Sequence, residues 1–376
     1  MISSPTARML TTSSQISLKP SISFSLMMRG ESVMEKQGES GFGRNSVGIE
    51  SHRRRFRSIA LYFTRLHSQS LIHKLSEVEV QLTKKAWGLF LLIGLLWGIP
   101  YFFTKIAVES EAPIPLIVFT RVLIASLILL PIAHYRGVLI PALKHWKVIA
   151  LFGIGEMVIP WFLIATGQKT LPSSTAALLV ATVPLWASIF AYFYGDKTVW
   201  HGRRVVGLIA GFLGVFFLVG FEGVGVGASL SEQIVAVVML LFAALFYAGS
   251  VSMINHRLPD VSALAINAIA LSVATLVYLP TLFFVLPTAI PPADAIASVF
   301  ILGAVCTSLA FIIYFKVMAE IGPARASLTV YINTLIAVLL GTIILQEPVT
   351  TSMSIGVVLV LLGSFLASRR PSPTLG

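Results

Sequence analysis

The sequence predicts an all-α integral membrane protein: ten transmembrane helices arranged as two inverted five-helix repeats. Three observations carry that expectation. Of 376 residues, 56% are hydrophobic and 11% charged, where soluble domains run nearer a quarter charged; mean hydropathy is +0.88. Continuous apolar runs of membrane length recur from Ala86 onward. Basic residues collect at alternate ends of those runs, and two stretches of the chain resemble each other in register. This balance excludes an ordinary soluble enzyme, a disordered chain and a nucleic-acid-binding domain.

A helix needs ~20 apolar residues to cross ~30 Å of hydrocarbon. The runs of that length lie near 86–107, 113–133, 146–167, 172–193, 204–221, 233–253, 261–286, 295–316, 323–343 and 353–368. Their connections are too short to hold a folded soluble domain. The runs are continuous rather than alternating, which excludes a β-barrel. With the N-terminus in the cytoplasm, the cytoplasmic flanks receive 13 basic residues: Lys84, Lys85, Arg136, Lys144, Lys147, Lys197, Arg203, Arg204, Arg257, Lys316, Arg325, Arg369 and Arg370. The opposite face receives Lys169 and at most Lys105. That bias predicts both termini in the cytoplasm.

An internal repeat organises the runs. Leu171-Pro172-Ser173-Ser174-Thr175-Ala176-Ala177-Leu178 reads against Gly322-Pro323-Ala324-Arg325-Ala326-Ser327-Leu328-Thr329. Asp196 and Glu347 follow their prolines at the same distance, and Gly207 and Gly214 match Gly356 and Gly363. The predicted divisions are therefore an extension over 1–85, a first repeat over 86–221 and a second over 232–368. Five spans per half force the second half to enter the membrane from the other side. Inverted repeats place a substrate site near the midplane, between halves that rock for alternating access.

The extension differs in composition. Residues 1–85 hold 13 Lys/Arg against 6 Asp/Glu, and the first 30 residues carry eight serines and no acid. A disordered cytoplasmic tail or over-long gene start, an organelle-targeting segment, and a membrane-surface helix around Arg53-Arg54-Arg55-Phe56-Arg57 are the competing readings. An organellar membrane is the alternative location if the segment is a transit peptide.

Ionisable groups inside a bilayer cost on the order of 3 kcal/mol or more unless paired or facing water, so they are functional candidates. Arg121 in the second run and Glu156 in the third lie near mid-span. Arg121 is suited to gripping a carboxylate in bidentate fashion; Glu156 is suited to proton coupling or to holding an amine. The plainer alternative is an Arg121–Glu156 ion pair locking two helices together. Lys105, near a span end, is expected to snorkel to the interface. Pro100, Pro160 and Pro184 fall inside runs and tend to kink helices, freeing carbonyls that can line a cavity. Trp97-Gly98-Ile99-Pro100-Tyr101 joins such a kink to aromatics, and Trp161, Trp186, Tyr314, Tyr331 and Asn333 can stack or hydrogen-bond. Gly207, Gly211 and Gly214 make a small-residue surface for close packing, within the monomer or across a homodimer.

No phosphate-binding loop, nucleophile elbow or zinc-binding helix motif occurs, and the single cysteine, Cys306, excludes Cys-based metal sites. No catalytic residue, cofactor or metal is expected. The ordered set of features resembles the drug/metabolite transporter superfamily, in particular chains with two EamA domains. The resemblance rests on Trp97-Gly98, Thr120-Arg121 with Leu129-Leu130-Pro131, the Ala-rich helix after Pro172, and Leu345-Gln346-Glu347-Pro348 followed by Gly356 and Gly363. It spans about 86–368, with Asp196 where the first repeat more often has Glu. It implies an inverted-repeat fold and gradient-driven alternating access, mostly exporting small metabolites such as amino acids, or drugs. The expected substrate-binding residues are Arg121, Glu156, Trp97, Tyr331 and Asn333. The expected partners are a small molecule and the lipid bilayer, not nucleic acid. An integral membrane enzyme of the lipid-modifying type is the alternative function.

Overall fold

A computed structural model describes residues 84–220, 228–285 and 290–368; most of the N-terminal extension, with Arg369 and Arg370, lies outside them. The described residues are helical and contain no strand. Each predicted run carries a helix. They are labelled α1 (Lys84–Glu109), α2 (Ile114–Tyr135), α3 (Trp146–Gly167), α4 (Ser173–Phe193), α5 (Gly202–Gly220), α6 (Leu230–Arg257), α7 (Ala263–Phe283), α8 (Ala293–Ile321), α9 (Thr329–Ile343) and α10 (Thr351–Ser368). Eight are long and apolar enough to cross a membrane. The exceptions are α5, with 19 residues, and α9, with 15.

The ninth run departs from expectation. Instead of one helix over 323–343, a single turn at Pro323–Ala326 is followed by a break at Ser327–Leu328 before α9 begins. Its repeat counterpart α4 is also broken, at Ala181–Thr182, just ahead of Pro184. Pro184 has no N–H to continue the ladder, and the Thr182 hydroxyl donates to the Leu179 carbonyl at 2.6 Å. Pro100, by contrast, sits inside an unbroken α1.

Both halves carry a wide π turn at matching positions: Ile154–Val158 in α3 and Ala304–Leu309 in α8. Such turns arise where the i→i−4 ladder is interrupted and often mark functional positions. In α3 the turn is followed by Pro160. In α8, without a proline, hydroxyls serve the widened carbonyls: Thr307 Oγ1 donates to Leu302 O at 2.7 Å and Ser308 Oγ to Gly303 O at 2.9 Å.

Most packing crosses between the halves. Helix α1 packs on α8 and α9, and α6 packs on α3 and α4; α2 lies on α7, and α5 on α10. Exchanging the halves turns each of these contacts into another in the set, which defines a pseudo-two-fold relation. The α5–α10 seam is glycine-lined: a Cβ at Gly207 would lie 2.6 Å from the Ala367 nitrogen and 2.8 Å from the Gly363 oxygen. The small-residue surface is thus used inside the monomer.

Candidate substrate cavity

Helix α2 carries Arg121 into the space between the halves, one turn-pair from its start. Its Nε donates to Thr307 Oγ1 at 3.2 Å, while the Thr307 hydroxyl donates in turn to the Leu302 carbonyl at 2.7 Å. The guanidinium carbon stands 3.7 Å from the centre of the Trp161 ring, a cation–π distance. Its terminal nitrogens have no acceptor among the described residues. A small cavity of about 20 Å³, lined by Arg121, Trp161, Thr104, Ile117 and Leu302 among others, adjoins them; that is room for about one water molecule.

Glu156 occupies the π turn of α3, and its Oε2 is buried with no hydrogen-bond partner among the described residues. The Arg121–Glu156 ion pair is not formed; the ion pairs among the described residues are Lys85–Glu320, Lys105–Glu109 and Arg204–Asp196. Tyr247 of α6 packs, partly buried, against the apolar clusters of both regions of the interior. The ring of Tyr314 of α8 lies 4.5 Å from Trp97. Trp97, Phe311 and Tyr314 form an aromatic wall between α1 and α8.

The fold brings Arg121 onto Trp161 of α3, the helix that carries Glu156, and Trp97 onto Phe311 and Tyr314 of α8, the helix that carries Thr307. Asn333 lies on α9 where that helix closely approaches α1: a Cβ at Gly98 would sit 2.8 Å from the Asn333 carbonyl oxygen. Its Oδ1 accepts from the Thr334 hydroxyl at 3.2 Å. Tyr331 is not brought to Arg121; it packs edge-on against Phe365 of α10, 6.1 Å between ring centres. Tyr247 and Thr307 were not among the expected site residues. A tyrosine midway along α6 and a threonine opposite Glu156 in the repeat register are the signals that mark them.

Lys105 lies near the end of α1. Its ammonium, 15% exposed, donates to the Gln168 carbonyl at 2.8 Å and pairs with Glu109 at 3.3 Å, where a cation complements the C-terminal end of α3. Gln168, fully buried, donates from Nε2 to the Tyr101 carbonyl at 2.8 Å, tying α3 to α1. Among the described residues, no cluster of His, Cys, Asp or Glu has the makings of a metal site.

A polytopic helical bundle of two interlocked repeats, with a half-buried arginine and a half-buried glutamate in its spans, has the form of a membrane carrier. The EamA-like transporter family profile matches residues 84–220 and 234–369, and the chain belongs to that family of transporters. It is 29% identical over 295 residues to the uncharacterized inner membrane transporter YedA of Escherichia coli K12, covering 76% of this chain and 93% of that protein. A probable terminal-alkyne amino-acid exporter of Streptantibioticus cattleyicolor is 24% identical, covering 77% and 95%. A crystal structure 20% identical in sequence superposes with a TM-score of 0.53 over 75% of this chain and 96% of that one, showing a shared fold.

Proposed function

We propose that the protein exports a small carboxylate-bearing metabolite of the amino-acid class across the cytoplasmic membrane, with both termini in the cytoplasm and two five-helix repeats as its working halves. The carrying observation is the Arg121 guanidinium, held by Thr307 and Trp161 but lacking an anionic partner among the described residues. A cation within a membrane span and without a counter-charge is costly, and a substrate carboxylate supplies that charge. Glu156, with a free buried oxygen, takes up a proton from one face and releases it to the other, coupling transport to a gradient. The resemblance to an amino-acid exporter supports the substrate class. The clustering of basic residues on one face supports the orientation.

An untargeted metabolite profile of cells and medium tests this reading, comparing overexpressed wild type with an Arg121→Ala, Glu156→Gln variant. An amine-and-carboxylate compound accumulating outside only with wild type is the expected result. If the two correctly inserted proteins give identical profiles, the site lies elsewhere.

A further inference from the structure

Two carboxylates occupy equivalent places in the repeats but do different things. Asp196 follows Pro172 by 24 residues, and Glu347 follows Pro323 by 24. Glu347, in the connection between α9 and α10, reaches across to the first turn of α4. Its Oε1 accepts from the Ser173 N–H at 2.6 Å; its Oε2 accepts from the Ser174 N–H at 3.0 Å and the Ser174 hydroxyl at 2.5 Å. A carboxylate on the free N–H groups of a helix start is favoured by hydrogen bonding and by the helix dipole. Gly341 leaves the space for it: a Cβ there would stand 2.8 Å from Ser173 Oγ and 3.0 Å from the Glu347 carboxyl carbon.

The symmetric contact would join Asp196 to the backbone at Ala324 and Arg325, ahead of α9. It is not made. Asp196 instead accepts from the Thr198 N–H and hydroxyl at 3.0 and 2.6 Å and pairs with Arg204 at 3.1 Å. Burial follows the same asymmetry. Every residue from Ser173 to Thr182 is buried, whereas the stretch at the opposite face is mixed, with Arg325, Ser327 and Leu328 exposed and Ala326 and Thr329 buried. The chain there has a positive-φ glycine, Gly322 at 80°, and the break before α9, so this entry is jointed where that of α4 is sealed.

We propose that Glu347 and Asp196 are alternating latches of the transport cycle. Glu347 on α4 holds one face shut in the state described; its release is matched at the other face by Asp196 leaving Arg204 for the backbone ahead of α9. Interlocked inverted repeats make the two events reciprocal, because each half closes one face as it opens the other. The latches are positioning residues and do not touch the substrate. The inference depends on the carrier fold rather than on the substrate proposed above.

Spin-label distance measurements on the full chain, without substrate, test it. One labelled pair, Lys169→Cys with Val349→Cys, reports the Glu347 face; another, Lys197→Cys with Leu328→Cys, reports the Asp196 face. Cys306 is buried and stays unlabelled. Glu347→Gln, and independently Gly341→Ala, which blocks the latch without removing charge, should lengthen the first distance and shorten the second. Adding Asp196→Asn to Glu347→Gln should return the second distance towards its wild-type value. The proposal is overturned if Glu347→Gln loosens its own face with no closing at the other, or if Asp196→Asn leaves the second distance unchanged.

Discussion

Arg121 keeps its charge in the bilayer on two supports of different kinds, a hydroxyl acceptor and an aromatic face. Lysine keeps the charge but has neither the flat surface nor the fork. Arg121→Lys should therefore raise the transport KM about tenfold, on the scale of a desolvated cation–π contact, and Thr307→Val should raise it by a smaller factor; proteoliposome uptake kinetics measure both. Asp196 behaves differently because it lies outside the spans. Its hydrogen bonds from Thr198, opposed in part by burial and reinforced by Arg204, lower its carboxyl pKa from 3.8 to about 2. A depressed carboxylate contributes stability above its unfolded pKa, lost only as pH falls towards the folded value. The destabilisation by Asp196→Asn, about 1.5 kcal/mol, should hence be the same at pH 5 and pH 8 in thermal melts. Of the interior residues, Arg121 and Glu156 were legible in the sequence because charge in an apolar run is conspicuous. Tyr247 was not, since a tyrosine among phenylalanines reads as packing until the fold sets it against the apolar clusters of both regions.

Helix placement was legible for a similar reason: hydrocarbon thickness sets the length of an apolar run, so the runs and the helices coincide closely. The interruptions were only half legible. Pro184 announces the break in α4, but the π turn at Ala304–Leu309 and the break at Ser327–Leu328 have no proline at the interruption itself. They follow from hydroxyl competition for carbonyls and from cross-repeat packing, which local composition does not record. Packing at the α5–α10 seam is tighter still. The Cβ of any residue at Gly363 would fall on the backbone of Gly211, so Gly363→Leu should cost about 1–3 kcal/mol, as overpacking does. Thermal unfolding in detergent should show a lowered midpoint and a smaller folded yield.

At the scale of the molecule, each half finds its main partners in the other, α1 on α8 and α9, α6 on α3 and α4. Two fragments cut between α5 and α6 should restore transport when produced together, and neither should yield folded protein alone; co-purification of differently tagged fragments measures this. The same interlocking sets a schedule for biosynthesis. Arg121 precedes its hydroxyl partner Thr307 by 186 residues. At roughly 5–20 residues per second, the ribosome delivers that partner about ten to forty seconds after the guanidinium has left the exit tunnel. For most of that interval the newborn second helix has the Trp161 ring, made soon after it, but not the hydroxyl that completes the support of its cation. It must wait at the insertion machinery, beside water, until the eighth helix arrives.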